Sequence, residues 1–248
     1  MKIWKKKLLS VHETIFKVIY KKIYDELIVT VRRDNLLRFG NENDGGYIVD
    51  VSVEYDNLVS FGIADDISFE LDFINYYPNS NLFCYDPSID NLPGALENSK
   101  FFKIGIAKKT TKNYQTLSDI LLTQNIDPAK KNFIKMDVEG FEWEVIEHNL
   151  EELILFDNFV LEIHFYELPP KLIFLFPLTL YKRLKLLRKL KKHFDIYNVH
   201  FNNGPRIINF SNFLFPECVE VSFLNKRHPK LKHLNNLNDR SKEDKQPY

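Results

Sequence analysis

Phe133-Ile134-Lys135-Met136-Asp137-Val138-Glu139-Gly140-Phe141-Glu142-Trp143-Glu144 is the stretch that sets the fold class of this chain. A short apolar run, Phe133, Ile134 and Met136, ends in two carboxylates and a glycine. A segment with helical spacing follows, with Trp143, Val145 and Ile146 as its apolar side. The pattern reads as a buried strand, a turn and a helix, with Asp137 and Glu139 at the strand's carboxyl end. In open α/β sheets ligands occupy the crevice outside those ends. Acids placed there usually touch the chemistry.

Similar units lie to both sides. Residues 58–61 read as a first strand followed by a helix at 67–74, residues 82–85 as a second strand ending at Asp86-Pro87, and 101–106 as a third. A helix at 117–122 precedes the 133–136 strand, and 159–163 forms a fifth strand ending at His164. Strands separated by helical patterns imply crossover units and a parallel sheet. Past Pro169-Pro170 comes an insertion with a helix at 181–194 whose Leu184, Leu187 and Leu190 face inward. Residues 196–199 and 218–223 then form an antiparallel hairpin at the sheet edge, joined by an Asn/Gly/Pro-rich loop at 202–216. Upstream, Arg38 to Val49 is a turn with paired glycines between apolar pieces, a sign of tight β structure or of backbone close to a ligand. Residues 1–30 read as a helix with Leu8, Ile15, Ile19, Ile23 and Leu27 on one stripe. The expected organisation is a basic helical extension at 1–33, one domain at 34–225 with a helical insertion at about 169–194, and a polar, disordered tail at 226–248.

A formal net charge of zero hides an asymmetry: residues 34–167 carry 25 acids against 9 bases, whereas residues 171–192 carry 8 bases and no acid. An acidic centre argues against nucleic acid across the main cleft. The basic flanks read first as solvated faces or an oligomer rim, with peripheral contact to an anionic membrane as the alternative. Cys84 and Cys218 lie in unrelated contexts, with neither a disulfide framework nor a zinc spacing, which points to a reducing compartment. The first residues lack the apolar run of a signal peptide, and the apolar piece at 172–180 is far short of the ~20 residues of a membrane span. The expected location is cytoplasmic.

Ser60-Phe61-Gly62-Ile63-Ala64-Asp65-Asp66 follows the first strand and opens a helix, as at a phosphate- or carboxylate-binding turn, but its single glycine does not meet the three-glycine dinucleotide pattern. Asp86 stands where doubly wound folds place an acid on ribose hydroxyls; an Asp-Pro turn explains it equally from local sequence. Asp137 and Glu139 form a metal or catalytic pair, or Glu139 simply favours the first turn of its helix. His164 comes up beside Asp137 if the fourth and fifth strands are neighbours, and a neutral imidazole there suits general-base work. His200, after a further strand, is another candidate.

Taken together these segments resemble the FkbM-type S-adenosylmethionine-dependent methyltransferases. The pieces that carry the resemblance are Arg38-Phe39-Gly40 with Asp44-Gly45-Gly46-Tyr47, Ser60-Phe61-Gly62 with Ser68-Phe69-Glu70, Tyr85-Asp86-Pro87, Ile134 to Glu142, and Leu161-Glu162-Ile163-His164. The resemblance implies the class I methyltransferase fold, a Rossmann-like, mostly parallel seven-stranded sheet with flanking helices and an antiparallel carboxyl-terminal edge. It implies O-methylation of a sugar hydroxyl, on a nucleotide-linked or surface-glycan sugar. The implied cofactor site comprises Gly40, Gly46, Tyr47, Gly62, Ala64, Asp65, Asp66, Asp86, Gly105, Ile106 and Asp137, with Asp86 on the ribose and a turn at Gly105-Ile106 beside the adenine. Ser60 and Asp66 replace the acid and second glycine of the usual first motif, so Asp65 or Asp66 is expected on the methionine ammonium. Asp137, His164 and His200 are the candidate bases, and Mg²⁺ or Mn²⁺ held by some of Asp137, Glu139, Glu162 and His164 is the alternative route to a lowered hydroxyl pKa. Two other readings compete: a nicotinamide-dependent sugar oxidoreductase, disfavoured by the missing glycine and by the lack of a Tyr-x-x-x-Lys pair, and a non-catalytic α/β protein tethering partners or membrane through its basic helices.

Overall fold

The computed structural model describes residues 2–42, 45–165, 176–201, 207–210, 213–227 and 232–233. Helix α1 (Lys2–Glu26) precedes three short strands, β1 (Val31–Arg32), β2 (Leu36–Phe39) and β3 (Tyr47–Asp50). Then come β4 (Asn57–Phe61), α2 (Ser68–Tyr76), β5 (Asn81–Tyr85), β6 (Ser99–Phe102), β7 (Gly105–Ile106), β8 (Tyr114–Gln115) and α3 (Leu117–Thr123). The decisive unit follows as β9 (Asn132–Met136) and α4 (Glu142–His148), with α5 (Leu150–Leu153) and β10 (Asn158–His164) behind it. The chain closes with α6 (Phe176–His193), β11 (Phe194–Phe201), the hairpin β12 (Ile207–Phe210) and β13 (Phe213–Pro216), β14 (Cys218–Asn225) and β15 (Lys232–His233).

Seven strands make the central sheet in the order β11-β14-β10-β9-β4-β5-β6. All neighbours pair in parallel except β14, which runs antiparallel between β10 and β11. This is the mostly parallel Rossmann-like sheet with an antiparallel edge expected from the sequence. The strand order reverses between β4 and β9, so the crevice opens above those two strands. Strands β4, β9 and β10 are buried at every position, because helices or a hairpin cover both faces, which is why they read as continuous apolar runs. One face carries Val59, Phe83, Ile134 and Leu161 under α1, α3, α4 and α6. The other carries Leu58, Leu82, Phe133 and Val160 under α2 and the β2–β3 hairpin.

Several expected boundaries change. The single strand at 101–106 is two: β6 joins the main sheet, while β7 leaves it to pair with β8, so Gly105-Ile106 is strand and not turn. The 202–216 connection contains the β12–β13 hairpin, whose Phe215 packs 4.9 Å from the Tyr20 ring and 5.0 Å from Phe165. Ile23 on α1 and Leu27 just past its end are buried as expected, but Ile15 is exposed and Tyr20 takes the central core position. The helix is thus built into the domain. The polar tail starts later than residue 226: Arg227 bonds the Leu155 carbonyl and Asp157, and β15 pairs with β1. The remaining tail, Asp44, Pro169-Pro170 and much of the 202–216 loop lie outside the described residues.

Candidate active site

The Gly62 turn is fixed by contact with the neighbouring strand end. Gly62 has φ +77°, and a Cβ there would meet the Asp137 carbonyl oxygen at 1.5 Å. Only glycine lets the β4 and β9 ends close to this distance. Its N–H donates to the Tyr85 carbonyl (3.1 Å), and the Asp137 N–H donates to the Phe61 carbonyl (3.0 Å). The carbonyl of Gly62 accepts from Lys135 Nζ at 2.5 Å. Lys135 and Glu70 are both buried, 3.6 Å apart, and the Ser60 hydroxyl donates to the same Glu70. Where Ser60 departs from the usual acidic motif, α2 supplies the carboxylate.

Asp86 stands at the end of β5 and accepts four hydrogen bonds. The N–H groups of Ile63 and Ala64 donate to Oδ2 at 2.8 Å each, and Ser88 gives its N–H (2.7 Å) and hydroxyl (2.6 Å) to Oδ1. Burial alone would raise its pKa, but the donors at Ala64, Ser88 and Ile63 outweigh it and hold the carboxyl below its ordinary range. The expected ribose acid is therefore also the brace of the glycine turn.

An open cavity of about 1340 Å³ lies over this end of the sheet. Gly62, Ala64, Asp65, Asp66, Asp86, Gly105, Ile106, Asp137 and His164, all candidate site residues from the sequence, line it. Asp66 has its two oxygens engaged by Ser68 N–H (2.8 Å) and hydroxyl (3.0 Å), so the more exposed Asp65 is the freer acid for an ammonium group. Three expected cofactor residues are not in the lining. Gly40 and Gly46 close the β2–β3 hairpin, where a Cβ on Gly46 would strike the Asn41 carbonyl at 2.2 Å, and it is Gly45 that reaches the cavity. Tyr47 is buried beneath and donates its hydroxyl to Asp137 Oδ2 at 3.3 Å. His200 is also outside the lining. It sits half-exposed on the edge strand β11, its Nδ1 3.1 Å from Glu220.

Beside the ends of β9, β10 and the start of β14 the cavity gathers Asp137, Glu139, Glu162, His164, Glu217 and Cys218. The antiparallel register places Cys218 opposite His164, and the Cys218 thiol donates to Glu162 Oε1 at 2.6 Å. Burial first and Asp137 second push the Glu162 carboxyl up to about 8, which leaves it protonated and hydrogen-bonded to Asp137 at neutral pH. Burial would lower the His164 pKa, but Glu142, Glu162 and Asp137 outweigh it and raise the imidazole from 6.5 to about 9. Glu142, wholly buried, lies 3.4 Å from His164 Nδ1 and accepts the His164 backbone N–H at 2.6 Å; Glu139 lies 3.7 Å from Nε2. Trp143 Nε1 donates to the His164 carbonyl at 2.8 Å and completes the clamp on the end of β10. His164 is thus an imidazolium at neutral pH, which corrects the expectation of a neutral base. Sequence reasoning missed Glu142, Cys218, Tyr114 and Lys135; only Lys135, a charge inside an apolar strand, carried a visible signal.

Donor atoms of Asp137, Glu139 and His164 lie within 4.8 Å of one another, as do those of Glu162, His164 and Cys218. Asp137 Oδ1 is buried and meets no hydrogen-bond donor among the described residues, so the first set has a lone pair to offer a cation. A cation there would have to displace the proton on His164.

Among solved structures, similarity extends to a fibrillarin/Nop5p complex (9% identity over 68% of this chain and 72% of that one, TM-score 0.41). It extends also to a putative rRNA-methylase from Clostridium thermocellum (13% identity, 70% and 88% covered, TM-score 0.38) and a putative methyltransferase from Thermobifida fusca YX (9%, 69% and 74%, TM-score 0.34). These likenesses are too distant to bear on substrate. No curated protein matches the sequence. The sequence pattern of the methyltransferase FkbM domain matches residues 35–182, which include β2 to β10 and every cavity residue named above except Glu217 and Cys218. S-adenosylmethionine is the methyl donor that this match implies, and the chain belongs to the FkbM methyltransferase family.

Proposed function

We propose that the protein transfers the methyl group of S-adenosylmethionine to a hydroxyl of a glycan sugar. One observation carries the reading: a single cavity joins the Asp86-braced glycine turn to a separate acid and imidazolium cluster at Asp137, Glu162 and His164. The donor, when bound, supplies an electrophilic methyl on a sulfonium cation, and a cavity lined by the six carboxylates Asp65, Asp66, Asp86, Asp137, Glu139 and Glu217, beside the protonated Glu162, suits a cation. The turn at Gly62 to Ala64 holds its shape through Asp86, so the cofactor end is preorganised. Asp137, fixed from below by Tyr47, is the group that takes the hydroxyl proton. His164, already charged, orients the acceptor oxygen and balances the carboxylates around it. The same acid lining favours an uncharged glycan hydroxyl over the pyrophosphate of a nucleotide-linked sugar, because Lys135, the lining lysine, is committed to Gly62 and Glu70.

The test is methyl transfer from S-adenosylmethionine to a panel of glycosides and nucleotide sugars, with wild type, Asp137→Asn and His164→Ala. Each variant is expected to lose about 10²–10⁴-fold in turnover while still binding S-adenosylhomocysteine. Near-normal turnover in both would remove Asp137 and His164 from the reacting hydroxyl. Activity that survives EDTA supports proton transfer to Asp137 alone; loss restored by Mg²⁺ or Mn²⁺ would put a cation on the Asp137, Glu139, His164 set.

A further inference from the structure

The helices α1 and α6 pack side by side and carry a surface that the active site does not use. They run in the same direction. Tyr20 lies near Phe165, just past the carboxyl end of β10, while Glu26 takes Arg188 (2.7 Å) and Lys191 (2.9 Å), and Thr30 N donates to the Ile196 carbonyl. Helix α6 begins at the cavity end of the sheet, because it connects the carboxyl end of β10 to the start of β11, which is level with the start of β10.

Among the described side chains, each helix leaves one stripe in the open. On α6 it is Leu178, Tyr181, Lys182, Lys185, Lys189 and Lys192, and on α1 it is Ile15, Val18, Lys21, Lys22 and Asp25. Lys182 is paired with Glu147 at 2.6 Å, and Lys185 rests over the Tyr181 ring at 4.6 Å. Lys21, Lys22, Lys189 and Lys192 have no acidic partner within ion-pair distance among the described residues. The apolar members are well exposed: Leu178 is 68%, Val18 48%, Tyr181 46% and Ile15 41% accessible. A solvated face explains the lysines but not four large apolar side chains placed in line with them. Nor does it explain why Leu178 and Tyr181 lie in the first turns of α6, at the cavity end, with Ile15 and Val18 on α1 just before Tyr20, which lies near Phe165 at the end of β10.

We propose that the exposed α1–α6 face is a docking surface for a lipid bilayer bearing anionic headgroups. Lysines at the rim of an amphipathic face meet negative headgroups, while Ile15, Val18, Leu178 and Tyr181 enter the boundary below them. Among the described residues no helix is long and apolar enough to cross a membrane, so the contact is peripheral. Docking brings the cavity end of the sheet next to the headgroup layer, and it holds whatever the cavity methylates.

The full chain is sedimented with phosphatidylcholine vesicles, with and without phosphatidylserine, at low and high salt. The expected result is pelleting with phosphatidylserine vesicles at low salt, reduced about tenfold or more by high salt or by omitting the anionic lipid. The triple variant Lys185→Glu, Lys189→Glu, Lys192→Glu and the separate pair Val18→Asp, Leu178→Asp should each lose about tenfold in binding, with an unchanged circular dichroism spectrum and unchanged S-adenosylhomocysteine binding. Should the triple variant misfold, Lys21→Glu, Lys22→Glu takes its place. Wild type left in the supernatant, or variants that pellet as wild type does, overturns the proposal. So does a dimer in analytical ultracentrifugation that the charge reversals dissociate, which would give the face to a second copy of the chain.

Discussion

Gly62 and Asp86 are coupled through the turn they share. At Gly62 a methyl group would require the β4 and β9 ends to part, since the Asp137 carbonyl oxygen stands 1.5 Å from the Cβ position and the backbone is left-handed. Gly62→Ala is therefore expected to abolish S-adenosylhomocysteine binding by calorimetry and to lower the unfolding free energy by about 1–3 kcal/mol or more, read by urea titration. Asp86→Ala acts differently. It removes a charge-assisted partner of the ligand and also leaves the Ile63 and Ala64 N–H groups without their acceptor. The expected loss in S-adenosylhomocysteine affinity is about 1.5–3 kcal/mol, roughly ten- to a hundred-fold. Asp86→Asn, which keeps an acceptor oxygen for the turn, should recover part of it, and equal affinity in all three proteins would remove Asp86 from the cofactor site. Both residues were legible in sequence because strand ends announce themselves. Glu142 was not: in sequence it is an acid in the first turn of a helix, the usual solvated position. It is buried only because the end of β10 closes over it and hands it the His164 N–H. Cys218 was equally hidden, since its place beside Glu162 comes from the register of a strand 56 residues away.

At the scale of elements, the buried Ser60–Glu70–Lys135 group ties β4, α2 and β9 together under the glycine turn. A buried ion pair is weak evidence of net stability, but removing one partner strands the other. Lys135→Met is expected to destabilise by about 3–5 kcal/mol, because Glu70 keeps a buried charge. Glu70→Gln with Lys135→Met should be milder than the sum of the single changes, and additive chevron or equilibrium data would show that the two do not interact. The elements themselves were largely readable: the apolar runs of β4, β5, β9 and β10 and the helices between them follow from burial on both sheet faces. What failed was local. Residues 101–106 were one apolar run, yet the chain breaks it after Phe102 so that Gly105 can lie against Tyr114, whose ring carbon is 2.6 Å from where a Cβ would stand. Gly45 and Gly46 were indistinguishable in sequence, since which one faces the cavity depends on how the hairpin closes over Arg38 and Asn41. His200 shared the strand-end placement of His164, but the insertion of β14 moves it two strands away from β10.

For the whole molecule, the acid-rich centre sets how stability varies with pH. His164 is raised from 6.5 to about 9 and Glu162 from 4.5 to about 8, so in both cases the folded state holds its proton more tightly than the unfolded chain does. The sign follows from linkage: where the folded state binds more protons, stability falls as pH rises. The contribution of Glu162 is complete below about 4.5 and is lost as pH climbs towards 8; that of His164 is complete below about 6.5 and is lost towards 9. Between pH 6 and 9.5 the two together should lower the unfolding free energy by several kcal/mol, less than the sum of the separate shifts because the groups of this cluster titrate together. Thermal melts of wild type in that range should therefore move down by several degrees. His164→Gln removes the imidazolium and should flatten the slope above pH 7. If the melting temperature of wild type is level or rising from pH 6 to 9.5, His164 is not held as a buried cation. The neutral-imidazole base would then return as the better account of how this family member takes the proton from its acceptor.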